Sequence, residues 1–95
     1  MAFDVEWSRS AKKDFKEILE YIAKDSPVNS QRVAAKIRGK IELLRSFPGL
    51  GHHAARYKST NSRQVIVYRY RIIFSATKQL LIIKRIVHGA RNFPK

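Results

Sequence analysis

Two amphipathic segments joined by a short break constrain the fold of this 95-residue chain most strongly. The break is Asp25-Ser26-Pro27, in which Ser26 is suited to cap a helix and Pro27 to occupy its first position. Apolar residues recur at helical spacing on both sides of it: Ala11, Phe15, Ile18, Leu19 and Ile22 before, Val33, Ala34, Ile37, Ile41 and Leu44 after. The pattern predicts a helical hairpin whose two apolar stripes must pack on another surface.

The remaining sequence has the two-residue period of β-strands. Residues 3–7 alternate apolar and acidic side chains, and three more strand patterns follow the second helix at residues 65–67, 70–75 and 80–88. Because residues 80–83 are all apolar, the last strand is predicted to lie inside the sheet. This order predicts an α+β fold in which the helical hairpin covers a mainly antiparallel sheet, with residues 1–95 forming a single domain.

Residues 48–62 show no periodicity, and we expect an irregular loop there that contains His52 and His53. Adjacent histidines in an extended backbone point apart, and no third ligand has suitable spacing, so neither a metal ion nor a cofactor is expected. The absence of cysteine excludes disulfides, Cys-rich zinc sites and thiol catalysis. No apolar run could span a membrane and the N-terminus does not resemble a signal peptide, so a cytoplasmic protein is the simplest expectation.

Positive charge is concentrated in the second half of the chain. The formal net charge is +13, and residues 51–95 contain ten Lys or Arg side chains and no Asp or Glu. Because uncompensated like charges repel, this bias indicates an anionic partner: nucleic acid, an anionic membrane surface or an acidic protein. Basic side chains interleave with Tyr68 and Tyr70 in a pattern suited to phosphate contact and base stacking: Arg69, Arg71, Lys84, Arg85 and Arg91. The same residues would also suit a solvated outer face that prevents edge pairing.

His88 ends the last strand pattern and precedes Gly89, which allows the chain to turn sharply. Cleavage of RNA through its 2′-hydroxyl would need a base, an acid and cations around the phosphate. His88, Arg71 and Arg91 could supply the acid and the cations, but no carboxylate occurs after Glu42 to serve as base. A histidine that caps or packs the strand end explains the same residue equally well.

Several short motifs occur in a fixed order between Trp7 and Phe93. They are Trp7-Ser8, Ala11, Asp14-Phe15, Ile18, Tyr21-Ile22-Ala23, Ser26-Pro27, Leu44, Phe47-Pro48, Gly51, Arg63, Tyr70-Arg71-Ile72-Ile73-Phe74 and Ile86-Val87-His88-Gly89-Ala90-Arg91. In this order and spacing they resemble the ParE/RelE superfamily of toxins from bacterial type II toxin–antitoxin systems. The resemblance implies a β-α-α-β-β-β fold and a growth inhibitor that is neutralised by an acidic antitoxin in a hetero-oligomer.

The superfamily divides by target, since ParE-like members inhibit DNA gyrase and RelE-like members cleave mRNA on the ribosome. Residues 70–72 and the ending 88–91 resemble ParE-like members. RelE-like enzymes tend to use Arg, Lys and a C-terminal Tyr or His, and no tyrosine follows Tyr70 in this chain. The high positive charge is more typical of ribosome-directed toxins. We therefore expect gyrase inhibition, with ribosome-dependent mRNA cleavage and a nontoxic nucleic-acid-binding module as alternatives.

The resemblance and the charge pattern together nominate the residues of a site. Those expected to contact the target or the antitoxin are Arg63, Arg69, Arg71, Arg85, His88 and Arg91. If the chain were a nuclease, Arg71, His88 and Arg91 would be its catalytic residues.

Overall fold

A computed structural model describes residues 2–53 and 62–89 of the chain. The elements are β1 (Asp4–Trp7), α1 (Arg9–Asp25), α2 (Pro27–Ser46), a 3₁₀ turn (Pro48–Leu50), β2 (His52–His53), β3 (Arg63–Val67), β4 (Tyr70–Thr77) and β5 (Leu80–His88). The predicted α+β fold is confirmed. The prediction of an irregular loop over residues 48–62 was wrong in its first part, which holds the 3₁₀ turn and β2, and residues 54–61 lie outside the described residues.

Local signals set the start of both helices, and that of α2 agrees with the cap predicted at Ser26-Pro27. The hydroxyl of Ser8 accepts the backbone N–H of Ala11 at 2.9 Å, which caps α1. Ser26 accepts the N–H of Asn29 at 3.1 Å and Pro27 occupies the first turn of α2. These caps satisfy N–H groups that have no partner inside a helix, so each helix begins at a defined residue.

The sheet is mixed and has the strand order β1-β5-β4-β3-β2. The pairing of β1 with β5 is parallel, and the other three pairings are antiparallel. The prediction that the last strand lies inside the sheet is therefore confirmed. However, β1 pairs with β5 only as far as Ile83, so in the described residues the second half of β5 has a neighbouring strand on one side only.

The core lies between the helices and one face of the sheet. Its buried members include Ala11, Ile37, Ile41, Leu44, Val65, Val67, Ile72, Phe74, Leu81, Ile83 and Ile86. Val33, Phe15 and Ile18 pack against them, in agreement with the predicted stripes. Ile73 and Ser75, which alternate with the core residues of β4, are also buried, so the opposite face of the sheet is not the uniformly solvated surface considered above.

Candidate functional site

A groove lies between α1 and the end of β5, where several of the predicted site residues meet. It has a volume of about 560 Å³, and we call it the β5 groove. Its lining residues are Asp14, Glu17, Ile18 and Tyr21 from α1, and Arg69, Tyr70, Arg85, Ile86, Val87 and His88 from the sheet. Three of the six nominated residues, Arg69, Arg85 and His88, therefore share one groove.

The end of β5 is tied to the hairpin turn that joins β3 and β4. The N–H of Gly89 donates to the carbonyl of Arg69, and the guanidinium of Arg71 donates to the carbonyl of Gly89 at 3.2 Å. A Cβ atom on Gly89 would lie 2.8 Å from the Arg69 carbonyl oxygen. Glycine is therefore required by this close approach of two backbones. Arg71 therefore helps to hold the end of β5 in place beside the β5 groove.

His88 packs edge-on against Tyr70. The two rings are 5.5 Å apart between centroids and inclined at 89°, and the residues lie opposite each other in the β4–β5 pairing. Both residues are half-buried, and this edge-to-face geometry is a favoured one for ring pairs. The contact fixes the direction of the imidazole at the rim of the β5 groove.

Arg85 is held by an acid from the first half of the chain. Its Nε and Nη2 donate to the two carboxylate oxygens of Asp14 at 2.7 and 3.2 Å. The same carboxylate accepts the backbone N–H of Ile86 at 3.0 Å. Because that N–H lies where β5 has passed the end of β1, Asp14 covers the open edge of the strand.

Two carboxylates line the β5 groove, whereas the sequence indicated no carboxylate that could serve as a base with His88. Asp14 and Glu17, with Ile18 and Tyr21, occupy positions i, i+3, i+4 and i+7 of α1, so they share one helix face. The prediction considered only acids near the basic residues in sequence, whereas α1 crosses β5 in space. The helical period of α1 could have indicated that Asp14 and Glu17 lie on one face with Ile18 and Tyr21.

Two nominated residues, Arg63 and Arg91, and the interleaved basic residue Lys84 are not among the described residues that line the β5 groove. Arg63 pairs with Phe74 in the sheet, and its Nη1 donates to the carbonyl of Gly51 at 3.3 Å, so it does not line the β5 groove. Lys84 donates to the hydroxyl of Ser62 at 2.9 Å. Arg91 lies outside the described residues. Within the described residues no group of three or more His, Cys, Asp or Glu side chains could hold a metal ion.

A second groove, which the sequence did not predict, opens between β1, α1 and α2. It has a volume of about 610 Å³ and we call it the apolar groove; its lining residues are Val5, Trp7, Lys12, Phe15, Lys16, Arg38, Ile41 and Glu42. Trp7 and Phe15 are 5.1 Å apart, and the guanidinium of Arg38 lies 5.2 Å from the Phe15 ring centre. The groove thus has an aromatic floor and a mainly cationic rim.

In the described part of the chain, neither helix is long and apolar enough to cross a membrane.

The sequence of the chain matches a known family over most of its length. The family described as ParE toxin of the type II toxin–antitoxin system parDE matches residues 5–93. The chain belongs to the ParE toxin family. The toxin is 32% identical to Toxin RelE2 of Caulobacter vibrioides over 92% of this chain and 96% of that protein. It is 28% identical to Putative toxin Y4kP of Sinorhizobium fredii over 96% of this chain and 93% of that protein.

Solved structures confirm the fold of the toxin. The chromosomal ParDE system of P. aeruginosa contains a chain that matches with a TM-score of 0.74 and 17% identity, over 92% of this chain and 96% of that one. The RelBE2 toxin–antitoxin complex of Mycobacterium tuberculosis matches with a TM-score of 0.64 and 18% identity, over 93% and 99% of the two chains. Both are similar in architecture, so the fold is that of the ParE/RelE superfamily.

Proposed function

We propose that this toxin inhibits growth by binding DNA gyrase, and that an acidic antitoxin neutralises it. The family match over residues 5–93 supports the choice of target. The observation that carries it is how the charged groups at the β5 groove are used: Arg85 is held by Asp14, and Arg71 by the carbonyl of Gly89. Guanidinium groups engaged in this way are fixed parts of the protein surface, which suits binding more directly than the clamping of a phosphate during reaction.

The apolar groove is the proposed binding site of the antitoxin. Trp7, Phe15 and Ile41 offer an apolar floor, while three cations stand at the rim: Lys12, Lys16 and Arg38. A segment with apolar anchors and acidic flanks complements both features, since anchors in a desolvated pocket supply affinity and rim charges supply steering. The solved relatives are similar in fold and come from a ParDE system and a RelBE2 toxin–antitoxin complex, which agrees with such a partner.

A supercoiling assay with purified gyrase and purified toxin tests the target. We expect the wild type to block supercoiling, and Arg69→Glu to require at least about tenfold more protein, because Arg69 is an exposed cation of the β5 groove. Lys78→Glu is the matched control: it makes the same charge change at an exposed turn residue at the other end of β4. Uninhibited supercoiling at excess wild-type toxin refutes the gyrase proposal. Equal losses in both variants would show only that net charge matters.

Ribosome-dependent cleavage of mRNA is the second candidate, and one observation favours it. Glu17 and His88 line the same groove, so α1 supplies a carboxylate that could act as base beside a histidine that could act as acid. Mapping mRNA 5′ ends after induction separates the two candidates. Under the gyrase proposal no codon-positioned cuts appear. New cuts that disappear in His88→Gln would instead establish a nuclease.

A further inference from the structure

Four cations form an exposed stripe along the first half of α1. Arg9, Lys12, Lys13 and Lys16 lie within an arc of about 100° around the helix, because an α-helix has 3.6 residues per turn. All four side chains are exposed. The buried Ala11 marks the opposite side of the helix, so this arc faces solvent. We call these four residues the α1 stripe.

The charges of the α1 stripe have no acidic partner. In the part of the chain that the structure describes, none of its side chains makes a hydrogen bond or an ion pair. Asp14 is the one acid between residues 9 and 16, and it bonds to Arg85 and to the backbone of Ile86 instead. Four basic side chains of the second half differ in that they donate to groups of the protein itself: Arg63, Arg71, Lys84 and Arg85. The cations available to an outside anion therefore include the α1 stripe, although the sequence directed attention to residues 51–95.

The position of the stripe is unfavourable for the helix that carries it. The first turn of α1 contains no acid, whereas Arg9 and Lys12 place positive charge at the positive end of the helix dipole. Charges of this sign destabilise the start of a helix, and like charges three or four residues apart also repel each other. A local arrangement that opposes folding indicates a functional use.

The chemistry of the α1 stripe favours a nucleic-acid backbone over a protein or a membrane. Of the exposed large apolar side chains in the described residues, none lies between residues 9 and 16. Protein partners and membrane surfaces obtain much of their affinity from apolar contacts, whereas a phosphate backbone is bound mainly through charge. Single strands are also held by aromatic side chains on which the bases stack. A duplex is therefore the better match.

We propose that the α1 stripe binds the phosphate backbone of duplex DNA. Arg9 and Lys16 are roughly 10 Å apart along the helix axis, which corresponds to about three phosphates at their spacing of about 3.4 Å along one strand. Contacts with phosphates carry no sequence information, so the stripe binds DNA of any sequence. The choice of DNA over duplex RNA rests on the proposed function, because binding to DNA gyrase brings the toxin next to duplex DNA.

A double variant that leaves the apolar groove intact tests the stripe. Arg9→Gln with Lys13→Gln removes two of its charges, and neither residue lines that groove, unlike the other two members of the stripe. The matched control is Lys24→Gln with Lys78→Gln, which removes two exposed cations elsewhere. Thermal unfolding checks the fold. The midpoint of the stripe variant should not fall below that of the wild type, because Arg9 and Lys13 make no bond that would be lost.

The readout is the affinity of the purified toxin for a short labelled DNA duplex at several salt concentrations. Each phosphate contact that is lost makes the plot of log K against log salt concentration shallower by about 0.9. We expect the stripe variant to give a slope shallower by about 1.8 and to bind at least about tenfold less tightly at about 0.1 M salt. The control should keep the slope of the wild type and bind within about threefold of it.

Equal losses in the stripe variant and in the control overturn the inference, because net charge alone then explains the binding. It is also overturned if the wild type does not bind the duplex at about 0.1 M salt. Tighter binding to duplex RNA, to a single strand or to vesicles of anionic phospholipid likewise overturns it.

The duplex is tested without gyrase, so the result is separate from that of the supercoiling assay. A toxin that blocks supercoiling but does not bind the duplex overturns this inference alone. A toxin that binds the duplex through the stripe but leaves supercoiling unaffected supports this inference and refutes the gyrase proposal.

Discussion

Removal of the Asp14 carboxylate should destabilise the toxin more than removal of its partner Arg85. The carboxylate accepts three hydrogen bonds, two from Arg85 and one from the backbone of Ile86. In Asp14→Ala the N–H of Ile86, a residue only 2% exposed, loses its acceptor. An unsatisfied buried donor costs about 1–3 kcal/mol, so the open edge of β5 carries most of the effect.

The ion pair adds less to this cost. The side chain of Arg85 is 32% exposed and that of Asp14 is 14% exposed, so water can solvate the guanidinium when the carboxylate is gone. A pair of this kind, bidentate and only partly exposed, contributes about 1 kcal/mol, the upper end for exposed pairs. We therefore expect Asp14→Ala to cost about 2–4 kcal/mol, and Arg85→Ala about 1 kcal/mol because the N–H of Ile86 keeps its acceptor. Asp14→Asn should fall between them, since one amide oxygen remains to accept that N–H.

Thermal unfolding followed by circular dichroism measures these differences. For a chain of this size each kcal/mol lowers the midpoint by roughly 4–8 °C, so Asp14→Ala should unfold at least about 8 °C below the wild type. Arg85→Ala should unfold within about 8 °C of it. An Arg85→Ala variant that is as unstable as Asp14→Ala would refute the reasoning, because the edge N–H would then be irrelevant. Arg85→Ala that is folded yet inactive would show that Arg85 also contacts the target.

Two further changes test the packing and the turns. Gly51→Ala should destabilise the toxin by about 1–3 kcal/mol, because the new Cβ would lie 2.7 Å from Cε1 of the buried Phe74 ring. Urea unfolding measures this free energy. Gly49→Ala is the control and should be neutral or slightly stabilising, because the space around Gly49 is open. Replacing Lys78-Gln79 by Asn-Gly should raise the unfolding midpoint by roughly 4–8 °C, because both residues have positive φ (50° and 63°) in a two-residue hairpin turn; an unchanged midpoint would contradict this.

The sequence predicted those parts of the fold that depend on neighbouring residues. Ser26 and Pro27 define the start of α2 by themselves, and the apolar stripes of both helices follow from their 3.6-residue period. The strand β2 was not predicted because it has only two residues. In addition, the segment between its residue His52 and the paired Gln64 shows no periodicity. A strand that short is defined by its partner rather than by its own pattern.

The site was less predictable because distant residues assemble it. The bonds between Asp14 and the end of β5 join positions 71 and 72 residues apart. Charge counted along the chain therefore described the second half as free of acids, although α1 brings Asp14 and Glu17 to it. Arg69, Arg85 and His88 lie in one groove because short hairpin turns join β3 to β4 and β4 to β5, so this pairing follows from sequence, whereas their role stays a prediction.

Backbone carbonyls accept hydrogen bonds from two arginines in the basic half of the chain. Arg63 donates to the carbonyl of Gly51 and Arg71 to the carbonyl of Gly89. A carbonyl bond holds a guanidinium group without compensating its charge, and the whole chain has a formal net charge of +13, so the folded toxin experiences self-repulsion. Salt should therefore have opposite effects on the stability of the toxin and on its affinity for an acidic partner. Raising the salt concentration from about 0.1 M to about 1 M shortens the screening length from roughly 10 Å to 3 Å. We expect the unfolding midpoint to rise as self-repulsion is screened, while affinity for an acidic partner falls. A midpoint that falls in parallel with affinity would show that attractive ion pairs, not repulsion, dominate the folded state.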